Sequence, residues 1–482
     1  MTFEEHLERD LSASADWLRN QRWFGDKSRT LSTMTLDNVA IVDIPTGSLA
    51  LAIVRCVFDE GEDARYFVPV MGVDAEMQAS KRTTASARST MRDALRDADV
   101  LAWFFESFRR GNVIDDPGTW RWQLLPGADV DLAPIDASDT RVMNVEQSNT
   151  SILFDHRVMA KVFRRLQSGI NPDLEVTQYL TTVARYPHVP KLYGLFTLDV
   201  SDQHLTLGVL QQFVPNVGDG WSWLLGELRA LTPDRAQDLV QQVGLLGMRT
   251  GELHVALGAP SEDVAFAPEI LDDRSVEALK TRVQAELDET LASLRKQGNK
   301  PAAVLAKLEH DLGARISEAS ALAGTLSIRV HGDYHLGQVL RTLERDFAII
   351  DFEGEPSRSI AERRQKFSPL KDVAGMLRSL DYATGTVSRE IEHSGHRELL
   401  ARWGDRARRA FLAEYSKAME GGDKRLMPAT SDAFDSGLHV LEIEKSLYEA
   451  RYEMNNRPDW LVIPWNALRG LADSDKRTAS ST

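Results

Sequence analysis

Cysteine is almost missing: the 482 residues contain one, Cys56. Intramolecular disulfides and cysteine-rich zinc sites are thereby excluded, and the composition suits a reducing compartment. No apolar run approaches the roughly 18 residues of a membrane-spanning helix. The longest, Leu49–Phe58, is broken by Arg55 and rich in strand formers. The opening Met-Thr-Phe-Glu-Glu-His lacks the basic-then-apolar order of a secretory signal. A cytoplasmic protein is expected. An excess of positive charge is also lacking. Lys and Arg number 57 against 72 Asp and Glu, a net charge of −15. Such a surface repels nucleic-acid phosphates and anionic lipid, so neither nucleic acid nor membrane is expected as a partner. No obligate protein partner is evident. Absent too are Gly-x-x-x-x-Gly-Lys-Ser/Thr, a strand-borne Gly-x-Gly-x-x-Gly and His-Glu-x-x-His. Walker-type NTPases, Rossmann dehydrogenases and zinc proteases are set aside on that ground.

What is present has globular proportions, 43% hydrophobic and 27% charged, at a length of about three domains, or two with an insertion. Phe3, Leu7, Leu11, Ala15 and Leu18 recur at helical spacing and predict a helix over Thr2–Asn20. Strands are expected at Leu36–Ile44, Ser48–Phe58 and Arg65–Met71. The polar stretch Lys81–Asp97 is weakly helical, and helical pattern continues through Leu101–Arg110. Further strands are expected at Trp120–Leu125, Arg141–Gln147, Ser151–Phe154, Arg157–Phe163, Lys191–Asp199 and His204–Phe213. A helix at 172–185 carries Pro172 in its first turn and acidic residues early. Past Pro215 the chain reads as helices at 221–230, 233–257, 273–297, 301–323, 369–387, 397–419 and 432–453. A short β interruption, Ser327–Asp351, lies among them. The polar tail Asp473–Thr482 is expected to be disordered. The predicted class is α+β, divided at 1–90, 91–215 and 216–482.

The chemistry concentrates in Val330-His331-Gly332-Asp333-Tyr334-His335-Leu336-Gly337-Gln338, followed by the apolar Phe347–Ile350 and then Asp351-Phe352-Glu353. A glycine at a tight position exposes one carboxylate, and an apolar strand delivers another. Phosphoryl transfer needs one carboxylate to orient the accepting hydroxyl. It also needs oxygen donors for Mg²⁺, which prefers few hard protein ligands and completes its shell with phosphate and water. Asp333 is assigned as catalytic base, Gln338 and Asp351 as metal ligands, and Glu353 as a weaker candidate for the metal shell. His331 and His335, four apart, do not form a zinc pair: no cysteine is near and Gly332 weakens any helix between them.

These residues resemble the aminoglycoside-phosphotransferase-like kinases, which have a bilobal protein-kinase-like fold. His-Gly-Asp-Tyr-His-Leu-Gly-Gln-Val-Leu is similar, more narrowly, to bacterial maltokinases and the related glucosamine kinases of actinobacteria. In most of the wider family the amide ligand is Asn; in the narrower group the Gln seen at 338 is usual. The resemblance implies ATP as phosphoryl donor and a β-rich N-terminal lobe carrying an extra cap module. It also implies a nucleotide lysine on a strand, paired with a helix glutamate. Lys161, within Val158–Phe163, and Glu175, in the next helix, fill those places. Ser148, Asn149 and Thr150 stand at the phosphate-covering tip, and Gln212 and Val214 lie in the stretch matching the adenine-binding hinge.

Near the C-terminus, Glu442–Trp460 puts Lys445, Glu449 and Tyr452 on one helix face, with Tyr448 and Tyr452 four apart, and Pro458 beyond the helix end. Alone, this reads as a solvated helix with salt bridges. Its Tyr-Glu…Asn-Arg-Pro-x-Trp pattern resembles the maltokinase-type signature, which implies sugar-binding roles for His335, Glu444, Lys445, Tyr448, Glu449, Glu453, Asn456 and Arg457. In the maltose pattern an arginine precedes Asn-Arg-Pro. Asn455 stands there instead, and Glu444 replaces the commoner Asp, both of which suit an amino sugar. Gln21-Arg22-Trp23-Phe24-Gly25-Asp26-Lys27-Ser28-Arg29 is similar to the start of the cap module, and is read as a Trp/Phe anchor without catalytic duty. The expected function is an ATP-dependent kinase of a small sugar, glucosamine giving the 6-phosphate. Maltose 1-phosphate formation, an aminoglycoside acceptor and a degenerate nucleotide-binding module are the alternatives.

Overall fold

The computed structural model describes residues 7–9, 11, 14–71, 92–115, 117–133, 139–143, 148–298, 300–355 and 358–473. The chain divides into two compact units: Met1–Gln178 with Pro190–Phe213, and Tyr179–Val189 with Val214–Thr482.

The first unit is built on two antiparallel sheets. β1 (Leu31–Ile44), β2 (Gly47–Phe58) and β3 (Ala64–Met71) form a meander that ends on the two-residue β9 (Arg165–Leu166). β1 starts five residues earlier than expected, because Leu31 already pairs with Phe58 across a register shift. Of the predicted helix 2–20, Ala15–Arg19 is helical and part lies outside the described residues. Leu7, Leu11, Leu18, Trp23 and Phe24 are buried with Tyr66 against this sheet, the anchor expected of 21–29. Cys56 is buried in β2, opposite Ala64. Residues 81–91 of the weakly helical stretch lie outside the described residues, and Ala94–Arg96 forms a 3₁₀ turn.

The second sheet has the order β4-β5-β10-β11-β8-β7-β6, from Val113–Ile114 (β4), Thr119–Leu124 (β5), Leu192–Val200 (β10), Gln203–Gln212 (β11), Val158–Phe163 (β8), Asn149–Phe154 (β7) and Thr140–Val142 (β6). The helix Ala98–Arg110 covers it. Asp97 caps that helix by accepting from the Asp99 N–H, and Gly111 ends it at φ 64°. Its Phe104 meets the rings of Trp122 and Phe196 edge-on.

Arg164 ties the two sheets together. Its guanidinium is fully buried, with Nη2 2.6 Å from Asp93 Oδ2, Nε donating to Thr150 Oγ1 at 2.8 Å and Nη1 to the Phe67 carbonyl at 3.3 Å. Trp23 lies 4.6 Å under the cation and donates to the same Asp93 carboxylate. Removing one partner of a buried ion pair strands the other. Arg164→Ala is therefore expected to destabilise this unit by about 3–5 kcal/mol, read as a fall in Tm of roughly 10 °C. An unchanged melt would show that the tie carries no stability.

The second unit is helical: Gly220–Arg229, Ala236–Leu257, Asp273–Gln297, Ala302–Ser317, Leu370–Glu390, Ser394–Met419, Ser431–Asn456 and Val462–Ala472. The predicted helix 301–323 finishes as a 3₁₀ turn, Glu318–Leu322, and Val462–Ala472 was not anticipated. A small sheet, β12-β15-β16, joins Asn216–Asp219 (β12), Val339–Thr342 (β15) and Phe347–Ile349 (β16). A two-stranded ladder pairs Glu269–Ile270 (β13) with Leu326–Ser327 (β14). Residues 474–482 of the expected disordered tail lie outside the described residues. Among the described residues no helix is long and apolar enough to cross a membrane.

Candidate active site

The hairpin of the helical unit carries the site. After β14 the chain is buried through His331, then turns at Gly332, whose φ of 85° is a left-handed value that glycine adopts without strain. Asp333 follows with its side chain 22% exposed. Leu336–Gln338 makes one 3₁₀ turn into β15, and β15 pairs with β16 through Val339↔Ile349. That register sets Gln338 beside Ile350, whose N–H donates to the Gln338 carbonyl at 3.0 Å. Asp351 comes next, half-buried, at φ 69°. A non-glycine residue held in this region stores strain, and such strain clusters at functional sites.

One buried carboxylate fixes the loop. Asp372 Oδ2 accepts from the His331 N–H at 2.7 Å and Oδ1 from the Gly332 N–H at 3.0 Å, while His254 Nε2 stands 3.2 Å from Oδ2. Burial works against its charge, but His254, His331 and the loop N–H overcome that and hold its carboxyl below the usual range. Two further positions of the same helix face meet the loop. A Cβ at Gly375 would stand 2.6 Å from the Tyr334 carbonyl, and Ser379 Oγ accepts from the Leu336 N–H at 3.1 Å. Residues 372, 375 and 379 share a face by helical spacing. Asp372 was not among the residues singled out from the sequence; its signal was an acid beside Lys371, flanked by the apolar Leu370, Val373 and Ala374.

Asp333 has two nitrogen-bearing neighbours. Lys445 Nζ lies 3.5 Å from Oδ1 and His335 Nε2 3.9 Å from Oδ2. Burial lowers the His335 pKa and Lys445 adds to the effect, against the pull of Asp333 and Asp351, so the imidazole is neutral at pH 7 and the 3.9 Å contact is not an ion pair. Its Nδ1 accepts from the Gly337 N–H, which locks the ring within the loop. Burial also opposes the charge on Lys445, but Asp333, Glu449 and Glu355 outweigh it and raise its pKa. Asp333, Glu355, Lys371, Glu444, Lys445 and Tyr448 line a recess in this unit, with about 480 Å³ of free space including its mouth.

Other expected site residues are held elsewhere. Glu449 accepts from Arg378 Nε and Nη2 at 3.0 and 2.8 Å, and Glu453 from Arg457 and the Tyr382 hydroxyl. Asn456 Nδ2 donates to the Tyr452 carbonyl, and Arg457 lies over the Tyr452 and Trp460 rings. None of these four lines the recess. The helix Ser431–Asn456 turns 449 and 453 toward the helix Leu370–Glu390, while Asn456 and Arg457 close its end. Glu444 lines the recess but is taken up by Arg282 at 2.9 Å. Glu353 is half-buried, and its carbonyl accepts from Arg363.

In the sheet-rich unit, Lys161 is buried in β8 and meets Asp173 at 2.9 Å. Asp173 sits in the first turn of the helix Pro172–Thr182, two residues before the Glu175 expected in that role; Glu175 is half-buried one half-turn further on. Of the phosphate-covering tip, Gln147 lies outside the described residues, Ser148 is exposed, and Asn149 and Thr150 are already in β7, buried and paired with Phe163 and Val162. Thr150 Oγ1 is bound by Arg164, so Asn149 and Thr150 belong to the sheet and not to a tip. The Gln212 N–H donates to the Lys191 carbonyl, and the Val214 carbonyl accepts from Asn216.

Residues 17–97 match the maltokinase N-terminal cap domain. A glucosamine kinase of Streptacidiphilus jiangxiensis is 30% identical over 335 residues, which are 68% of this chain and 72% of the relative. Another, from Mycolicibacterium smegmatis, is 29% identical over 350 residues, 71% of this chain and 82% of that one. The solved structure of a glucosamine kinase in complex with glucosamine, ADP and inorganic phosphate superposes with a TM-score of 0.68 at 23% identity, covering 96% of this chain and 98% of the other. The two share a fold. With a maltokinase-type cap, a sheet-rich N-terminal unit and a helical unit whose hairpin presents two carboxylates, the chain is a phosphotransferase. Within that class, the chain belongs to the glucosamine kinase family.

Proposed function

We propose that this protein transfers the γ-phosphoryl group of ATP to D-glucosamine, giving glucosamine 6-phosphate and ADP. The observation that carries the reading is the hairpin itself. Asp333 and Asp351 end two arms of one short, tightly braced element, with Asp333 opening onto a recess of mixed charge. Asp333 orients the sugar hydroxyl and takes its proton as the oxygen attacks phosphorus and the bond to the bridging oxygen of ADP breaks. Lys445 keeps a positive charge beside that carboxylate, where the transferred group arrives. Asp351 and Gln338, brought to neighbouring positions by the Ile350 N–H bond to the Gln338 carbonyl, carry hard oxygen donors of the kind Mg²⁺ takes, and Glu353 is a further oxygen donor two residues on; these residues would hold the ion, which would supply charge neutralisation for the phosphates. In the sheet-rich unit, Lys161 with its Asp173 partner is the candidate for the α- and β-phosphates; Gln212 near the end of that unit and Val214 at the start of a segment of the helical one are the backbone candidates for adenine. The maltokinase-type cap favours maltose as the second acceptor to examine.

A turnover screen of glucosamine, glucose, maltose and several aminoglycosides with MgATP, with NMR of the product, tests this reading. Glucosamine turned over no better than maltose would sink it. Asp351→Asn is expected to raise the KM for MgATP about tenfold or more, because a neutral amide is a weaker ligand for a hard cation. Unchanged MgATP affinity and rate would remove the metal role. The lone, buried Cys56 suits a reducing compartment, and we place the protein in the cytoplasm, to be checked by cell fractionation.

A further inference from the structure

We infer that Arg249 is a positioning residue for Asp351: it places the strand that leads to this carboxylate and so sets the geometry of the cation site. This rests on the metal reading above and adds a residue far from every sequence motif. β16 is three residues long and forms one edge of its small sheet. A strand of that length has little hold of its own. It nevertheless ends two residues before Asp351, whose backbone keeps the left-handed φ of 69°. Strain of this kind persists only where the surroundings over-determine it.

Those surroundings are built on the helix Ala236–Leu257. Arg249 grips Asp346, the residue before β16, with both prongs: Nε lies 2.9 Å from Oδ1 and Nη2 2.7 Å from Oδ2. The same Oδ1 accepts from the Phe347 N–H at 2.7 Å, so the grip passes directly into the strand. Arg249 Nη1 is steadied by the two Glu252 oxygens at 3.1 and 2.9 Å. The far end of β16 returns to the same residue. The Arg249 carbonyl accepts from the Tyr186 hydroxyl at 2.7 Å. Two residues after Tyr186, the His188 carbonyl accepts from the Ile349 N–H, also at 2.7 Å. β16 is thus clamped at both ends by contacts that meet at Arg249. β15 has a tie of its own, since Gln242, two turns earlier on that helix, accepts from Arg341. Thr250 Oγ1, from the residue next to Arg249, stands 3.0 Å from the hydroxyl of Tyr334, the neighbour of Asp333. One helix thereby sets both arms of the hairpin. A guanidinium fork fixes direction as well as distance, which a point charge does not.

The test is Arg249→Met in the full chain, which removes the fork and keeps an aliphatic stem. Mn²⁺, a paramagnetic substitute for Mg²⁺, is titrated in the presence of ADP and followed by electron paramagnetic resonance, well below the melting temperature. The Kd for Mn²⁺ is expected to rise about tenfold, the lower end of what disturbing the groups that orient a metal ligand costs. The KM for glucosamine is expected to stay within about twofold. Arg249→Lys, which keeps the charge without the fork, should bind Mn²⁺ with an affinity between those of Arg249→Met and wild type. A purely stabilising role would lower Tm and leave the Mn²⁺ constant alone. That result, or an equal loss of affinity for Mn²⁺ and glucosamine, would overturn the inference. Should Arg249→Met not fold, Asp346→Asn carries the same comparison, because it weakens the fork and keeps an acceptor for the Phe347 N–H. Asp351→Asn is run beside it. If that variant binds Mn²⁺ like wild type, the metal reading fails and this inference with it. Weakened binding there, with none in Arg249→Met, sinks the role of Arg249 alone.

Discussion

Asp333→Ala is expected to lower kcat by about 10²- to 10⁴-fold, the range for losing a positioned general base, while affinity for ATP stays within about twofold. The loop around residue 333 does not depend on its carboxylate. The backbone on its N-terminal side is held by Asp372, the His331 ring by the Ile350 carbonyl, and Leu336 by Ser379. The substitution therefore removes chemistry and leaves shape. It also takes from Lys445 its nearest negative charge. Asp333→Asn keeps the size of the side chain and separates the two effects: rate is lost equally if proton acceptance matters, and largely kept if only packing does. Near-normal kcat in both variants would remove Asp333 from the catalytic role.

Asp372→Ala should damage stability and rate together. The N–H groups of His331 and Gly332 and the imidazole of His254, in turn 3.0 Å from the Tyr415 hydroxyl, lose a shared acceptor. Each buried donor left unmade costs about 1–3 kcal/mol, so a loss of about 3–5 kcal/mol is expected, comparable to breaking a buried ion pair. The fall in Tm is about 10 °C. Because Gly332 and Asp333 are adjacent, kcat drops as well, and Asp372→Asn, which retains one acceptor oxygen, should sit between alanine and wild type on both scales. A variant that melts like wild type would show that the loop is held by other contacts.

Much of the hairpin was legible because its signals are local. Gly332 marks the turn, the apolar Phe347–Ile350 marks a strand, and the acids flank them. Some helix limits were legible for the same reason: the helix expected at 273–297 runs Asp273–Gln297, between the Asp272 cap and Gly298. What escaped was set by partners distant in sequence. Nothing near Glu449 announces Arg378, 71 residues earlier, whose Nε and Nη2 both donate to Glu449 Oε2. The helix after Lys161 was evident, but the ion pair of Lys161 with Asp173 in its first turn was not. Ser148-Asn149-Thr150 is a run of polar, turn-favouring residues, so β7 was given too late a start, and Asn149 and Thr150 were assigned to a tip. Asp372 matters through what surrounds it in space, which composition and periodicity do not record.

The solitary thiol offers a practical consequence. Cys56 is sealed in β2, and burial, then Asp26 and Asp63, push its pKa up to about 12. A thiolate, not a thiol, is the nucleophile, so the native protein should be inert to alkylating dyes and to oxidants at neutral pH. Labelling then proceeds only from molecules in which the cap sheet has opened. One dye per chain becomes a clock for that opening, and it keeps time without reference to sugar, nucleotide or catalysis.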